Sequence, residues 1–238
     1  MRVLAFIPAR GGSKGILKKN LASLLGKPLI QYTLDLVREL GDAVIPFVST
    51  DSQEIFDYCH TQGFDMEYQR PWHLAQDDSL MVDTVLDGVD WYQNKTNTIV
   101  DAVLILQPTN PIRYAKELYE ALLRFEALQL DSMISVVPID DHPYESLDVA
   151  DEGHWTYLRK PDSTVYGRQE YPSDFYHIDG SFYFVKTRFL LEHRKLIVEG
   201  ITQLFYLKDR RRVDIDTPED LIIAEALMQY YKSKENIQ

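Results

Sequence analysis

The sequence holds a single cysteine, Cys59, so no disulfide can form within the chain. Cys59 lies in a stretch patterned as a helix, where a lone thiol acts as a small buried hydrophobe rather than a nucleophile. No apolar run approaches the length of a membrane span. The run Val3 to Pro8 is also too short for the core of a secretion signal, and Arg10-Gly11-Gly12 follows it at once. A cytoplasmic protein with no membrane partner is expected. Positive charge is scarce. With 25 Lys and Arg against 37 Asp and Glu, the formal net charge is −12 and the pI about 4.9. Such a chain repels polyanions overall, which ranks nucleic-acid binding low. Neither the Walker A spacing nor Gly-x-Gly-x-x-Gly occurs, and there is no Gly-x-Ser-x-Gly elbow, no Cys–His pattern, no internal repeat and no low-complexity segment.

What is present is an ordinary globular balance, 45% apolar and 26% charged over 238 residues. That length suits one α/β domain with a small insertion. Val3 to Pro8 reads as a fully buried strand, as do Ala43 to Val48, Asp101 to Leu106 and Ser132 to Val137. Helical patterns separate them: one opening at Pro28, then Ser52 to His60, Ser79 to Trp91 and Ala115 to Leu128. Strands alternating with helices predict a mostly parallel sheet covered on both faces. From Pro138 to about Tyr176 the pattern breaks into aromatics among charges and turns, which reads as an insertion spanning roughly residues 139–177 of a single domain. Ser181 to Val185 returns to strand, and Thr217 to Tyr231 is a closing helix.

In parallel sheets the ligand crevice lies at the C-terminal strand ends. Three of these ends carry polar loops: Arg10 to Lys14, Ser49 to Asp51, and Gln107 to Arg113. Glycines in Arg10-Gly11-Gly12-Ser13-Lys14-Gly15 let backbone N–H groups approach a phosphate, and two cations flank them. A tight turn with solvated charges would carry the same residues. Asp214-Ile215-Asp216 puts two carboxylates at i and i+2, which on a strand share one face with Cα atoms roughly 7 Å apart. That pair suits Mg²⁺, which takes a couple of carboxylates plus phosphate oxygens and water. The following Thr217-Pro218-Glu219-Asp220 reads as a helix start, so Asp216 could equally belong to a cap, whereas Asp214 has no such explanation. The loop Gln107 to Arg113 is stiffened by Pro108 and Pro111 and offers polar groups to a ligand, or serves as a plain helix-entry turn. Arg168 could pair a carboxylate bidentately, although most isolated arginines are solvated. His142, His154 and His177 have no metal-ligand spacing and read as structural, and Arg210-Arg211-Arg212 reads as a solvated rim.

Taken together, the blocks Ile7 to Gly15 with Lys19-Asn20 and Gly26 to Ile30, Ser49-Thr50-Asp51, Arg70-Pro71 with Leu74-Ala75-x-Asp77, Leu106 to Arg113, Arg168-Gln169, and Asp214 to Leu221 closely resemble the CMP-sialic acid synthetases, the acylneuraminate cytidylyltransferases. They span nearly the whole chain in that family's order. The resemblance implies a Rossmann-like nucleotidyltransferase fold, an insertion that packs on a second subunit in a homodimer, and an enzyme that moves CMP from CTP to a nine-carbon keto-sugar acid. It implies that Arg10, Ser13 and Lys14 hold the triphosphate, Asn20 meets the ribose, and Arg70 with the segment at Ser79 reads cytosine. Gln107, Thr109, Arg168 and Tyr183 would line the sugar site, and Asp214 and Asp216 would hold Mg²⁺. Arg10, Lys14 and Asp216 would be the catalytic set. The chain departs from the family pattern at Leu17-Lys18 in place of Pro-Gly, at Asp179-Gly180 in place of Asn-Gly, and at Glu145, where a basic residue is expected. The last two put the sugar's identity in question, so a legionaminic or pseudaminic acid enzyme is an alternative. An octulosonate enzyme fits the opening loop less well. A non-catalytic nucleotide-binding subunit is the alternative of another class, disfavoured by the intact Arg10, Lys14, Asp214 and Asp216.

Overall fold

A computed structural model of the chain describes residues 1–151, 153–160, 171, 175–207 and 213–235. The apolar run at the N-terminus forms β1 (Val3–Pro8), and a small ribbon of β2 (Ser23–Leu24) and β3 (Lys27–Pro28) leads into α1 (Leu29–Leu40). Next come β4 (Ile45–Ser49), α2 (Gln53–Thr61), α3 (Met81–Thr96), β5 (Ala102–Ile105), α4 (Ala115–Ala127) and β6 (Ser132–Pro138). The excursion contains a hairpin, β7 (Leu147–Asp151) and β8 (His154–Tyr157). The chain closes with β9 (Tyr176–Lys186), α5 (Thr187–His193), β10 (Gln203–Tyr206) and α6 (Pro218–Glu235). The anticipated strands and helices are present with ends shifted by a few residues, except that the segment Asp214 to Asp216 is not a strand. The sequence reading had no α5 or β10, and it began β9 five residues late.

The main sheet has six strands in the order β10-β6-β9-β5-β1-β4. β1 pairs in parallel with β4 and β5, and β10 with β6, whereas β9 runs antiparallel between β5 and β6. Alternate side chains of each strand feed opposite layers. Ala5, Ile7, Leu104 and Phe184 pack against Ile30 and Leu34 of α1, Cys59 of α2 and Phe125 of α4. Leu4, Phe6, Val103 and Val185 pack against Val82, Val85 and Val89 of α3 and Leu190 of α5. Gly88 lets α3 approach closely, since a Cβ there would lie 2.7 Å from the Phe6 ring and 2.8 Å from Phe47. Cys59 is fully buried, and burial pushes its thiol up to about 12, so it is inert packing as its context indicated.

A third cluster joins Leu24, Leu29, Ile112, Val213, Ile215 and Ala224. It clamps the segment before α6 onto the loop after β5. β1 is the switch point of the sheet, because β4 and β5 leave from its two sides. The crevice therefore opens above Pro8, where the glycine loop begins. Among the described residues no helix is long and apolar enough to cross a membrane.

Candidate active site

The glycine loop is fastened at both ends. The Ala9 amide donates to the Ser49 carbonyl at 2.9 Å, and the Gly11 amide to Asp51 Oδ1 at 2.8 Å. The Asn20 amide group donates to the Arg10 carbonyl at 2.9 Å. A Cβ on Gly12 would meet nothing within 4 Å, so that turn faces open space. A Cβ on Gly15 would lie 2.0 Å from the carbonyl oxygen of Asp216. This position needs glycine because the loop rests directly on the backbone of the aspartate segment. Lys18 takes a left-handed conformation at φ 52 and pairs with Glu54 at 2.6 Å.

The Asp214–Asp216 segment forms no sheet ladder, contrary to the strand expectation. It is held by a backbone bond from the Ile215 amide to the Thr109 carbonyl at 2.9 Å and by burial of Val213 and Ile215. Burial alternates along it, so the two aspartates do lie on the less buried side. The helix cap is built by other groups. Asp220 Oδ2 accepts from the Thr217 amide at 2.8 Å, the Asp216 amide at 3.0 Å and the Thr217 hydroxyl at 2.9 Å. Burial pushes the Asp220 carboxyl up, but these bonds and the nearby Lys19 outweigh it and hold the group below the usual range. The Asp216 carboxylate is thereby left to the crevice, where Lys19 Nζ lies 2.7 Å from Oδ1. Lys19 is only 14% exposed while Asp216 is 70% exposed, so the ammonium is the fixed partner.

Two adjoining cavities share Asp214 and Asp216 as a common wall. The first, about 270 Å³, is lined by Pro8, Arg10, Lys19, Asn20, Arg70, Met81, Gln107, Pro108 and Thr109 together with that pair. Buried Arg70 is pinned to the end of β4 by donating to the Ser49 hydroxyl at 2.9 Å and carbonyl at 2.7 Å. Burial lowers its pKa, yet a guanidinium stays charged at neutral pH. The second cavity, about 530 Å³, is lined by Asp140, Asp141, His177, Asp220 and Ile223 beside the shared aspartates.

Of the sequence-derived candidates, Arg10, Asn20, Arg70, Gln107, Thr109, Asp214 and Asp216 meet in the first cavity. Ser13 and Lys14 belong to the loop at its rim, and Lys14 Nζ lies 2.6 Å from Asp77. Ser79 lines neither cavity. It stitches the loop over residues 73–79, its hydroxyl donating to the His73 carbonyl at 2.9 Å and accepting from the Gln76 amide at 3.0 Å. Tyr183 is also outside both cavities and packs half-buried on the α3 side of the sheet. Arg168, Gln169 and the arginines at 210–212 lie outside the described residues. His142 packs on Tyr144, Tyr171 and Phe175, as a structural histidine should. His177, read the same way, instead faces the acidic cavity. Sequence reasoning also passed over Lys19 as a site residue, although it stands beside Asn20 in a recognised block.

The aspartate pair fits Mg²⁺ on the chemistry of its donors. Two carboxylates share one wall, and the ammonium of Lys19 already satisfies one of them as a cation would. Among the described residues no group of three or more His, Cys, Asp or Glu could hold a metal alone. A metal here would take its remaining ligands from phosphate and water, which is the Mg²⁺ habit.

The chain is 32% identical to the CMP-N,N'-diacetyllegionaminic acid synthase of Legionella pneumophila, over 96% of this chain and 97% of that protein. It is 30% identical to the pseudaminic acid cytidylyltransferase of Campylobacter jejuni, over 95% and 96%. It is 29% identical to the N-acylneuraminate cytidylyltransferase of Streptococcus agalactiae, covering 99% of this chain but 56% of that longer protein. The fold is similar to that of a CMP:2-keto-3-deoxy-manno-octonic acid synthetase complexed with CTP, with a TM-score of 0.70 at 17% identity over 97% of this chain and all of that one. A family model described as cytidylyltransferase matches residues 4–230, which takes in every wall of the two cavities. The chain belongs to the cytidylyltransferase family.

Proposed function

We propose that this cytidylyltransferase joins CMP from CTP to the anomeric hydroxyl of a sialic-acid-like nine-carbon keto-sugar acid and releases pyrophosphate. The observation that carries the reading is the shared wall of the two cavities. Asp214 and Asp216 stand between a compartment lined by Arg10, Asn20 and Arg70 and a second, larger one. The nucleotide would occupy the first, with its α-phosphate at the aspartates, and the sugar would approach from the second. The sugar hydroxyl oxygen attacks the α-phosphorus, the bond to the bridging oxygen breaks, and pyrophosphate leaves with the electron pair. The hydroxyl proton would pass to a base, for which the Asp216 carboxylate is the candidate.

Positioning and charge neutralisation supply most of the catalysis in such a transfer. Arg10, Ser13 and Lys14 would hold the triphosphate, Asn20 the ribose, and Arg70 and the loop at Ser79 the cytosine. Lys19 would turn from Asp216 toward the α-phosphate. Gln107, Thr109, Arg168 and Tyr183 would serve the sugar, with Arg168 as the cation for its carboxylate. Mg²⁺ held by Asp214 and Asp216 would add charge neutralisation at the phosphate oxygens. The enzyme would work in the cytoplasm, as a single domain whose segment at 139–177 pairs two subunits. Exposed Val149, Trp155 and Leu158 around the hairpin support that pairing.

The test is pyrophosphate release with CTP and Mg²⁺ across N-acetylneuraminic, legionaminic, pseudaminic and octulosonic acids. Release with one nine-carbon acid is expected. Identities of 32% to the legionaminic acid enzyme and 30% to the pseudaminic acid enzyme leave the choice among these acids to the assay. Asp216→Asn should cut turnover at least about 100-fold while leaving the melting temperature unchanged. Retained turnover in that variant would remove Asp216 from the mechanism, and CTP binding without release for any acid would favour a non-catalytic subunit.

A further inference from the structure

The two cations of the glycine loop share a single carboxylate. Arg10 Nη2 lies 2.8 Å from Asp77 Oδ1, and Lys14 Nζ lies 2.6 Å from Asp77 Oδ2. One oxygen meets each cation, which is how two non-bridging phosphate oxygens would meet them. Asp77 is half-exposed and no burial compels this position. It belongs to the loop that follows the one-turn helix Trp72–Leu74, and the same loop offers the Ala75 carbonyl to Arg10 Nη1 at 3.5 Å. Lys14 first, and Arg10 second, hold the Asp77 carboxyl below its usual range, so it is fully charged at neutral pH. Gly12, beside these cations, faces open space.

We propose that Asp77 is a built-in counter-anion that competes with the β- and γ-phosphates for Arg10 and Lys14, and that its return after the transfer helps to expel pyrophosphate. The proposal rests on the reading of Arg10 and Lys14 as triphosphate ligands and adds a positioning residue that acts through them. It follows that ligands carrying phosphates beyond the α-position must displace Asp77, while a ligand with only an α-phosphate leaves it in place. Asp77 therefore weakens CTP and pyrophosphate together and spares CMP. A merely structural carboxylate would not produce that division.

The experiment compares wild type, Asp77→Asn, Asp77→Ser, Asp77→Glu and Lys14→Ala in the full chain. Dissociation constants for pyrophosphate and for CMP are measured by calorimetry, with product inhibition by pyrophosphate as a second readout. In Asp77→Asn and Asp77→Ser pyrophosphate should bind roughly three- to ten-fold tighter, the scale expected for exposed ion pairs, with CMP unchanged. Asp77→Glu should return pyrophosphate affinity toward the wild-type value. Unchanged or weaker pyrophosphate binding in both neutral variants overturns the proposal, as does an equal change for CMP. Lys14→Ala separates the two layers of the argument. If it weakens pyrophosphate while the Asp77 variants do nothing, only the counter-anion fails. If it leaves pyrophosphate untouched, the triphosphate reading of the loop fails as well.

Discussion

Gly15 shows how much of the site hangs on one missing side chain. The loop lies so close to the Asp216 carbonyl that a Cβ would fall 2.0 Å from it, and the obstacle is backbone rather than a movable side-chain tip. Gly15→Ala must therefore shift the loop, the aspartate segment, or both. A displacement of about 1 Å at a reacting centre costs on the order of 100-fold in rate, and turnover should fall by at least that much. Steady-state kinetics at saturating CTP would check it, beside a melt showing only a modest loss of stability. The glycine was legible as part of a phosphate-type loop. Its contact with Asp216, some 200 residues on, was not, because nothing in local sequence encodes a packing distance. The same holds for Lys19 and Asp77. Each was visible inside a recognised block, but its charged partner came from a different element.

At the scale of elements, the start of α6 decides what Asp216 can do. Residue order alone allowed Asp216 to serve either a metal or the helix cap. The cap went to Thr217 and Asp220, leaving the Asp216 carboxylate to Lys19. Asp220→Ala should cost about 1 kcal/mol of stability at neutral pH, the usual value of a lost cap. Its carboxyl is held below 3.8 in the folded state, so the stability it contributes is fully present above pH 3.8 and fades as pH falls through the lower folded value. The gap between wild type and Asp220→Ala in urea midpoint is expected to be full at pH 7 and to close below that range. Because the same oxygen holds the Asp216 amide, turnover should drop in the variant too. β10 and α5 escaped the sequence reading for a different reason. Gln203–Tyr206 is a short edge strand, and Thr187–His193 a helix of only seven residues, so neither carries enough periods to stand out.

For the whole molecule, the hairpin of β7 and β8 stands apart from the three packed clusters and presents Val149 and Trp155 to solvent. Apolar side chains of that kind on a small hairpin are a liability unless another surface covers them. In the proposed dimer they would be covered by the second subunit. Sedimentation of the wild type should give twice 27.7 kDa, and the double variant Val149→Lys with Trp155→Lys should give 27.7 kDa. A wild-type monomer at micromolar concentration would dispose of the dimer. The acidic character of the chain, −12 overall, sets the background against which the glycine loop works. In the proposed reading, positive charge concentrated locally would draw a triphosphate toward a negative protein. Arg10 and Lys14 of the loop and Lys19 after it supply such charge, the first two tempered by Asp77 and the third by Asp216.

By itself the sequence determined the alternation of strands and helices, the loops that face the crevice and the family, because buried strands, amphipathic helices and glycine–cation loops are written in short-range order. Tertiary structure alone decided that β9 runs antiparallel through an otherwise parallel sheet, and that His177 faces a cavity while Tyr183 does not. It also decided that Asp216 meets Lys19 rather than capping α6. Those outcomes depend on which distant groups come within a few ångströms once apolar faces are buried, and charge pairing at that range is set by packing rather than by neighbours along the chain.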